Sequence, residues 1–369
     1  MDNFSVDLML KIFIRIPVKS LLKLRRVSKY WCNIIDDPFF ARMHDYGQIE
    51  QHTLLVGIFK YNRLPLPSTT TFYAACDDEE ARVIHEVKIP MAKFQVKQAY
   101  GSCNGLMYFA EDQVDEIVVS NPLTSQFRIL PPLNIEMDGY LNSESTATGL
   151  GFDSLTKTFK MVRSYKSPLC SYFTRVHTLG TASWREVSSV PDDYCYCDKY
   201  ESVFVHGFLH WRTRPNLVTT NYEEWISAFD VSKETFKVIP SPEIDFEKLS
   251  GWTSEKLFGI SDIKGNLAML DLSCSGKIDI WVMEYEKQLW AKEYTIDITI
   301  LGNIFSQYST HVIGLWKQDE ILFHSSRNYW SYSMKNGGLK ECAVQISDHA
   351  TIYSLRGSLI SIPGAMEIS

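Results

Sequence analysis

Two hydrophobic spacings divide the chain. Between Val6 and Ile16, the apolar residues Val6, Met9, Phe13 and Ile16 recur every three or four positions, and Leu8 and Ile12 widen the stripe. That spacing predicts an amphipathic helix. Ser5 stands where an N-cap belongs, and Asp7 lies in the first turn, where a negative charge complements the helix dipole. Pro17 ends the helix, because proline disfavours the α conformation in the residue before it and offers no N–H to continue the ladder. A second helix is predicted at once, capped by Ser20 and carrying Leu21, Leu24, Val27, Trp31 and Ile34 or Ile35 on one face, until Asp36-Asp37-Pro38 stops it. Lys23, Arg25, Arg26 and Lys29 occupy its other faces.

Beyond about residue 50 the period changes to alternation and short apolar runs bounded by Gly, Asp, Asn and Pro. "SVFVHGFLHWRT" (Ser202 to Thr213) reads as two strands turning at His206-Gly207, and "EEWISAFDVSKETFKVIPSP" (Glu223 to Pro242) as two more turning at Asp230 to Glu234. This four-stranded unit recurs. Its second turn is followed by Phe127, Trp184, Phe236, Trp290 and Leu339, at intervals of 57, 52, 54 and 49 residues. Its first turn appears as "CNGL" at Gly105, "HGFL" at Gly207, "KGNL" at Gly265, "QDEI" at Asp319 and "RGSL" at Gly357, and "DSLTKTF" (Asp153 to Phe159) belongs to the second unit. A four-stranded sheet of this length cannot cover both its own faces, and stacking such sheets without long open edges gives a β-propeller. Five units are visible. A sixth is completed by joining "IYSLRGSLISI" (Ile352 to Ile362) to an early strand such as "TLLVGIFKY" (Thr53 to Tyr61), which locks a ring of six blades. The alternative fold is a pair of β-sandwiches with accidental spacing.

Composition narrows the function classes. A hydrophobic share of 45% and a charged share of 22% are those of a soluble globular protein, and 13% aromatic residues suit strands. The net charge of −7 argues against a general affinity for nucleic acid or anionic membrane. Residues 1–45 hold eight Lys or Arg against five Asp, so this piece is +3 and the remainder −10. Eight cysteines without CxxC spacing read as reduced thiols. Asp2, Asp7, Lys11 and Arg15 interrupt any signal-like run, and no stretch approaches the roughly 20 apolar residues of a membrane span, so the cytoplasm or nucleus is expected.

Helices totalling about 40 residues bury too little surface to be stable alone, and nothing in this piece binds a metal, so a partner is the physical expectation. The stretch "VDLMLKIFIRIPVKSLLKLRRVSKYWCNIIDDPFFARMH" resembles the F-box motif, especially the plant version with Pro-Val-Lys-Ser-Leu followed by Val-Ser-Lys and Trp. The family usually opens Leu-Pro-x-Asp/Glu-Leu, where this chain has Ser5 in the proline position. The resemblance implies docking on a Skp-type adaptor, and through it on a cullin, by Phe4, Leu8, Ile12, Ile16, Pro17, Leu21, Leu24, Val27 and Trp31. The alternative is a generic helical hairpin packed on the body. The body resembles the plant F-box-associated domain through "GSCNGLMYF", "SNPLTSQFRILPP", "GLGFDSLTKTFKMVRSY", "LGTASWREVSSVP", "VFVHGFLHWRT", "FDVSKETFKVIPSP" and "DIWVMEYEKQLWAKEYTI". Together these imply a mainly β chain, an F-box over residues 1–45 and a kelch-like propeller over 50–369, acting as the client-recognition subunit of a Skp–cullin–F-box ubiquitin ligase.

Catalytic constellations are weak. His206 and His210 are four apart but span a turn, so they read as structural; Cys195 and Cys197 with Cys170 lack ligand spacing. "GLGF" at Gly149 to Phe152 lacks the third glycine and helix of a dinucleotide fingerprint, and its glycines read as turn residues. Asp192-Asp193 and Glu223-Glu224 are adjacent acids rather than an opposed pair, and the sequon at Asn3 falls in the helical piece. No catalytic residue, metal or cofactor is assigned. The alternatives are a propeller enzyme or sugar-binding module, and an F-box protein acting with the adaptor outside a ligase. A protein client is expected at irregular connections, Arg63 to Thr71, Leu133 to Thr146 and Pro191 to Lys199, with Asp192, Asp193, Tyr194 and Tyr196 mixing acid and aromatic character suited to basic residues.

Overall fold

The structure is a computed structural model that describes residues 5–16, 18–47, 52–58, 68–76, 83–91, 101–111, 116–133, 147–166, 172–189, 194–196, 202–215, 225–244, 258–274, 276–299, 310–316, 319–325, 328–342 and 350–367. Four short helices open it: α1 (Val6–Phe13), α2 (Val18–Leu24), α3 (Lys29–Ile35) and α4 (Pro38–Gly47). The single helix expected from Ser20 to Ile35 is therefore two. The ladder breaks at 25–27, and Ser28 takes an extended conformation in which its hydroxyl accepts from the Trp31 N–H at 3.1 Å. A serine side chain can satisfy a helix-end donor only by leaving the helix, so Ser28 ends one helix and starts the next. Asp37 does the same for α4, accepting from the Phe39 N–H at 2.6 Å, with Pro38 at the first helical position, where a missing N–H costs little. Ser5 precedes α1 but makes no side-chain cap; its carbonyl accepts from the Leu8 and Met9 N–H groups.

Six four-stranded blades follow. Blade 1 contains β1 (His52–Ile58), β2 (Ser68–Cys76) and β3 (Val83–Met91). Blade 2 is β4 (Gly101–Cys103), β5 (Leu106–Glu111), β6 (Glu116–Asn121) and β7 (Gln126–Ile129). Blade 3 is β8 (Ala147–Asp153), β9 (Thr158–Lys166), β10 (Tyr172–Thr178) and β11 (Arg185–Val187). A short β12 (Tyr194–Tyr196) precedes blade 4, which is β13 (Ser202–Val205), β14 (Phe208–Pro215), β15 (Trp225–Asp230) and β16 (Thr235–Pro240). Blade 5 is β17 (Phe258–Ile263), β18 (Asn266–Asp271), β19 (Lys277–Glu284) and β20 (Leu289–Asp297); blade 6 is β21 (His311–Trp316), β22 (Glu320–Ser325), β23 (Asn328–Ser333) and β24 (Leu339–Cys342). Two strands return: β25 (Ala350–Arg356) pairs with β1, setting Leu54 opposite Ser354, and β26 (Met366–Glu367) pairs with β7.

The ring thus closes by a strand from each chain end, as the repeat predicted. One detail differs. Gly357 makes no hairpin turn and the strand does not run on to Ile362, because the hairpin partner of β25 comes from the far end of the chain. Residues 357–365 instead run irregularly along blade 2, where the Asn121 side-chain amide donates to the carbonyls of Ser358 (3.1 Å) and Ile360 (2.8 Å).

The repeated turn sequences have a common physical basis. Asn104-Gly105, His206-Gly207 and Lys264-Gly265 place two successive residues at positive φ, between 46° and 82°, the geometry of the two-residue hairpin turn that matches strand twist. In the other turn type, Asn121, Asp153 and Asp230 each accept backbone N–H bonds from the residues two and three further on. Adjacent strands of a blade are antiparallel, so turns between its first and second and its third and fourth strands all lie at one end of the propeller. The strand ends bracketing 134–146, 216–224, 245–257 and 300–309 lie at the other.

The centre is tighter than a simple ring. β4 and β13 pair in parallel, joining blades 2 and 4 into one ten-stranded sheet, with blade 3 packed against that junction. The Thr148 carbonyl on β8 accepts from Tyr108 Oη (2.7 Å) in blade 2 and Trp211 Nε1 (2.9 Å) in blade 4. Here the glycines of "GLGF" are not turn residues. They lie inside β8, and a Cβ at Gly149 would sit 2.8–2.9 Å from Trp211, Leu209 and Ser202 of blade 4, so the close approach of blades 3 and 4 favours glycine.

Candidate functional site

The helices present two apolar faces. On the inner face, Met9, Phe13, Leu21, Ile35 and Phe40 are buried; the Phe13 ring meets Trp31 edge-on at 5.1 Å and Phe40 at 6.3 Å. Buried His44 on α4 stacks near Phe40 and its Nε2 lies 2.7 Å from the Ile16 carbonyl, tying the fourth helix to the end of the first. On the outer face, Leu8 and Ile12 are each 45% exposed and Val27 62%. Leu8 and Ile12 are one turn apart on α1, the spacing at which helix side chains stand together.

The expected adaptor residues are therefore divided by the structure. Leu8, Ile12 and Val27 are outward; Ile16, Leu24 and Trp31 are partly buried against the inner core; Leu21 is fully buried. Phe4 and Pro17 lie outside the described residues. Leu21 points inward because the face of a helix that meets the core follows from packing, while spacing alone gives only the width of the stripe. Two exposed rings were missed, Tyr30 (49%) and Phe39 (60%). Each is next to a recognised residue, Trp31 or Pro38, and off the predicted face. The basic residues behave as a solvated face: Arg25 is paired with Asp36 at 2.7 Å, and both are about two-fifths exposed.

At the propeller, Tyr194 and Tyr196 lie on β12, opposite Pro215 and Thr213 of β14, at the end with the long connections. Asp192 and Asp193 lie outside the described residues. The connections expected to be irregular are partly strand: Ser68 to Thr71 begins β2 and Tyr194 to Tyr196 is β12, because both segments find a neighbouring strand to pair with. Residues 63–67 and 134–146 are likewise outside the described set.

The two histidines separated by a turn converge on one ring. Exposed His206 stacks on Tyr285 at 4.7 Å, and buried His210 meets the same ring edge-on at 5.9 Å while its Nδ1 lies 3.1 Å from the Val203 carbonyl. Burial, reinforced by the charge of Lys237, holds the His210 pKa down to about 3 despite that hydrogen bond, so His210 is neutral at physiological pH. The Lys237 ammonium lies 4.1 Å from the Phe208 ring centre and 4.8 Å from that of Tyr285. Burial pushes its pKa below the usual lysine value. This cluster joins blades 4 and 5, and Lys237 and Tyr285 stand 27 to 79 positions from the histidines, which hid it from sequence reading. Among the described residues, no group of three or more His, Cys, Asp and Glu is arranged to hold a metal ion.

An outward apolar face on short helices, carried by a six-bladed propeller, defines an interaction protein with a helical docking piece. The sequence matches the F-box domain family over residues 1–42 and the F-box associated beta propeller domain family over residues 55–334. The chain belongs to the F-box proteins with an F-box associated β-propeller. Its relatives include, from Arabidopsis thaliana, F-box protein CPR1, 26% identical over 96% of this chain and 89% of that protein. F-box protein At3g07870 is 24% identical over 87% of this chain and 78% of its own length, and F-box/kelch-repeat protein At3g23880 is 24% identical over 80% and 79%. Among the described residues, no helix is long and apolar enough to cross a membrane.

Proposed function

We propose that this chain is the client-recognition subunit of a Skp–cullin–F-box ubiquitin ligase, acting in the cytoplasm or nucleus, in which residues 1–45 bind a Skp-type adaptor and residues 50–369 hold a protein client. The observation that carries the reading is the outward apolar pair Leu8 and Ile12 on helices whose inner face is already filled. An exposed apolar face on a docking helix is stabilised by a partner that covers it. The receptor itself supplies no chemistry. It raises the effective concentration of the client beside the ubiquitin-charged enzyme, so that transfer becomes nearly intramolecular.

The polarity of the propeller supports a division of labour. The chain passes from α4 into β1 at the end of tight turns, whereas β12 and the strand ends flanking the longer connections lie at the opposite end. The client end is then the one remote from the adaptor, and Tyr194 and Tyr196, with Asp192 and Asp193 just before them, are its proposed contacts.

The test uses the buried-versus-outward distinction. Leu8→Asp with Ile12→Asp places charges on the outer face without touching the inner core, and is expected to abolish co-purification of adaptor and cullin from plant extract while leaving the melting transition unchanged. Adaptor retained at the wild-type level by that folded variant overturns the reading. Adaptor captured without cullin or ubiquitinated clients favours an F-box protein working outside a ligase. Exchanging Tyr194 and Tyr196 for Ala, with Asp192 and Asp193 for Ser, is expected to lose clients and keep adaptor.

A further inference from the structure

Blade 2 has two buried faces with different coverings. Leu106, Tyr108, Ile117 and Val119 point toward blade 3 and share a core with Leu150, Phe159 and Met161. The alternate residues Met107, Phe109, Val118 and Phe127 point the other way, toward blade 1, and are equally buried. In an ordinary propeller the neighbouring blade covers such a face. Among the described residues, the four side chains belong to one apolar cluster with Met9, Phe13, Leu21, Ile35 and Phe40 of the helices.

The C-terminal segment completes that cluster. Leu355, at the end of β25, and Leu359, in the irregular stretch after it, are buried in it. The same stretch is fixed to blade 2 by polar contacts at each step: Asn121 donates to the carbonyls of residues 358 and 360, Gln126 Oε1 accepts from the Ile362 N–H at 3.1 Å, and the Arg128 guanidinium donates to the Pro363 carbonyl. Arg128 also donates to the Thr181 carbonyl of blade 3 at 3.1 Å, and β26 then pairs with β7.

We propose that the F-box helices are built onto the face of blade 2 that carries Met107, Phe109, Val118 and Phe127 rather than being an arm on a tether, and that residues 357–367 are the strap that holds them there. Helices too small to be stable alone gain part of their core from this propeller face, and the strap adds a closing side. The consequence is mechanical. The adaptor-binding face and the client end of the propeller are held in one fixed orientation, which is set before any partner binds. The packing of helices and strap stands apart from the ligase reading, and only the consequence for the adaptor and client faces rests on it.

The test is hydrogen exchange measured by mass spectrometry on the full chain without adaptor. Leu359→Ser opens the strap side of the cluster at a residue that belongs to no strand. Amides of residues 9–13 and 34–41 are expected to exchange about tenfold or more faster, since losing a buried leucine removes at least that factor of protection from the unit it stabilises. Amides of blades 4 and 5, such as 208–213 and 266–271, are expected to keep their rates. Arg128→Met loosens the strap from outside the apolar core and is expected to speed the same helix amides. Helix exchange unchanged in both variants overturns the proposal and makes the helices an independent arm. If Leu359→Ser speeds exchange everywhere, the ring itself has opened, and Arg128→Met decides: selective loss in the helices upholds the strap, and no change there refutes it.

Discussion

Two apolar seams of this propeller differ in what is added to them. Between blades 3 and 4 an apolar core, Val162 and Val176 against Leu209, Trp211 and Phe229, is joined by an ionic cluster: Lys160 Nζ lies 2.8 Å from Asp153 Oδ2 and 2.8 Å from Glu234 Oε1, and donates to the Val231 carbonyl at 3.0 Å. Ser232 donates to the other Asp153 oxygen at 2.7 Å, and the Arg185 guanidinium forks onto Glu234. Burial alone pushes the Asp153 carboxyl up, but hydrogen bonds from Lys160, Ser232, Thr156 and the Leu155 N–H outweigh it and hold the group well below the usual carboxylate range. On the face of blade 2 turned away from blade 3, the contacts among the described residues are apolar side chains from helices, blade and tail. The first seam is directional, since a buried charge tolerates only one arrangement of partners. The second depends on volume, and accepts helices as part of its packing. A propeller can therefore recruit a foreign element at an apolar seam without rebuilding its registers.

The largest expected effect comes from breaking the ionic cluster. Lys160→Met leaves Asp153 and Glu234 facing one another and is expected to cost about 3–5 kcal/mol in urea unfolding. Pairing it with Asp153→Asn is expected to recover more than half of that. A loss below about 1 kcal/mol would make this network a surface ion pair in all but position. In the second seam, Phe109→Ala is expected to cost about 3 kcal/mol and to lower protection in the helices as well as in blade 2, whereas Lys160→Met spares the helices.

Acid sharpens the contrast. The folded-state pKa values of Asp153 and Glu234 are depressed, so their stabilisation is present above the unfolded carboxylate range and is lost as pH falls through and below about 4. His210, in the seam of blades 4 and 5, is also depressed, with a folded value of about 3; its contribution is whole above about pH 6.5 and falls as pH drops from there. Its ring is faced by His206, Lys237 and Tyr285. Urea midpoints of His210→Gln are expected to fall less steeply than wild type between pH 6.5 and 5, with no difference between the two slopes counting against this assignment. The smallest effect is local: Ser28→Ala removes the cap of α3 and is expected to cost about 1 kcal/mol, read as a lower melting temperature.

Much of this was legible in order along the chain. The turns at Asn121, Asp153 and Asp230 are local devices, each an acid or amide accepting from its own neighbours, so a few residues specify them and their recurrence announces the blades. The helix caps are equally local, yet Ser28 was passed over because a serine inside an apolar stripe looks like one more helical position. The site was less legible. The resemblance grouped Leu8, Ile12 and Leu21 as one docking surface, and only packing separated the outward pair from the buried residue.

The amino-acid order by itself determined that the front is helical, that the body repeats about every 53 residues and that its two ends must meet, because turn geometry and hydrophobic period are properties of neighbouring residues. The tertiary structure alone decided where the helices go, which way Leu21 points, that Gly149 stays bare where blades 3 and 4 meet, and that the tail past Arg356 leaves its strand to strap blade 2. Those outcomes rest on which surfaces fit against each other across 100 to 350 positions, and a close-packed interior is settled by the shapes of all its members at once.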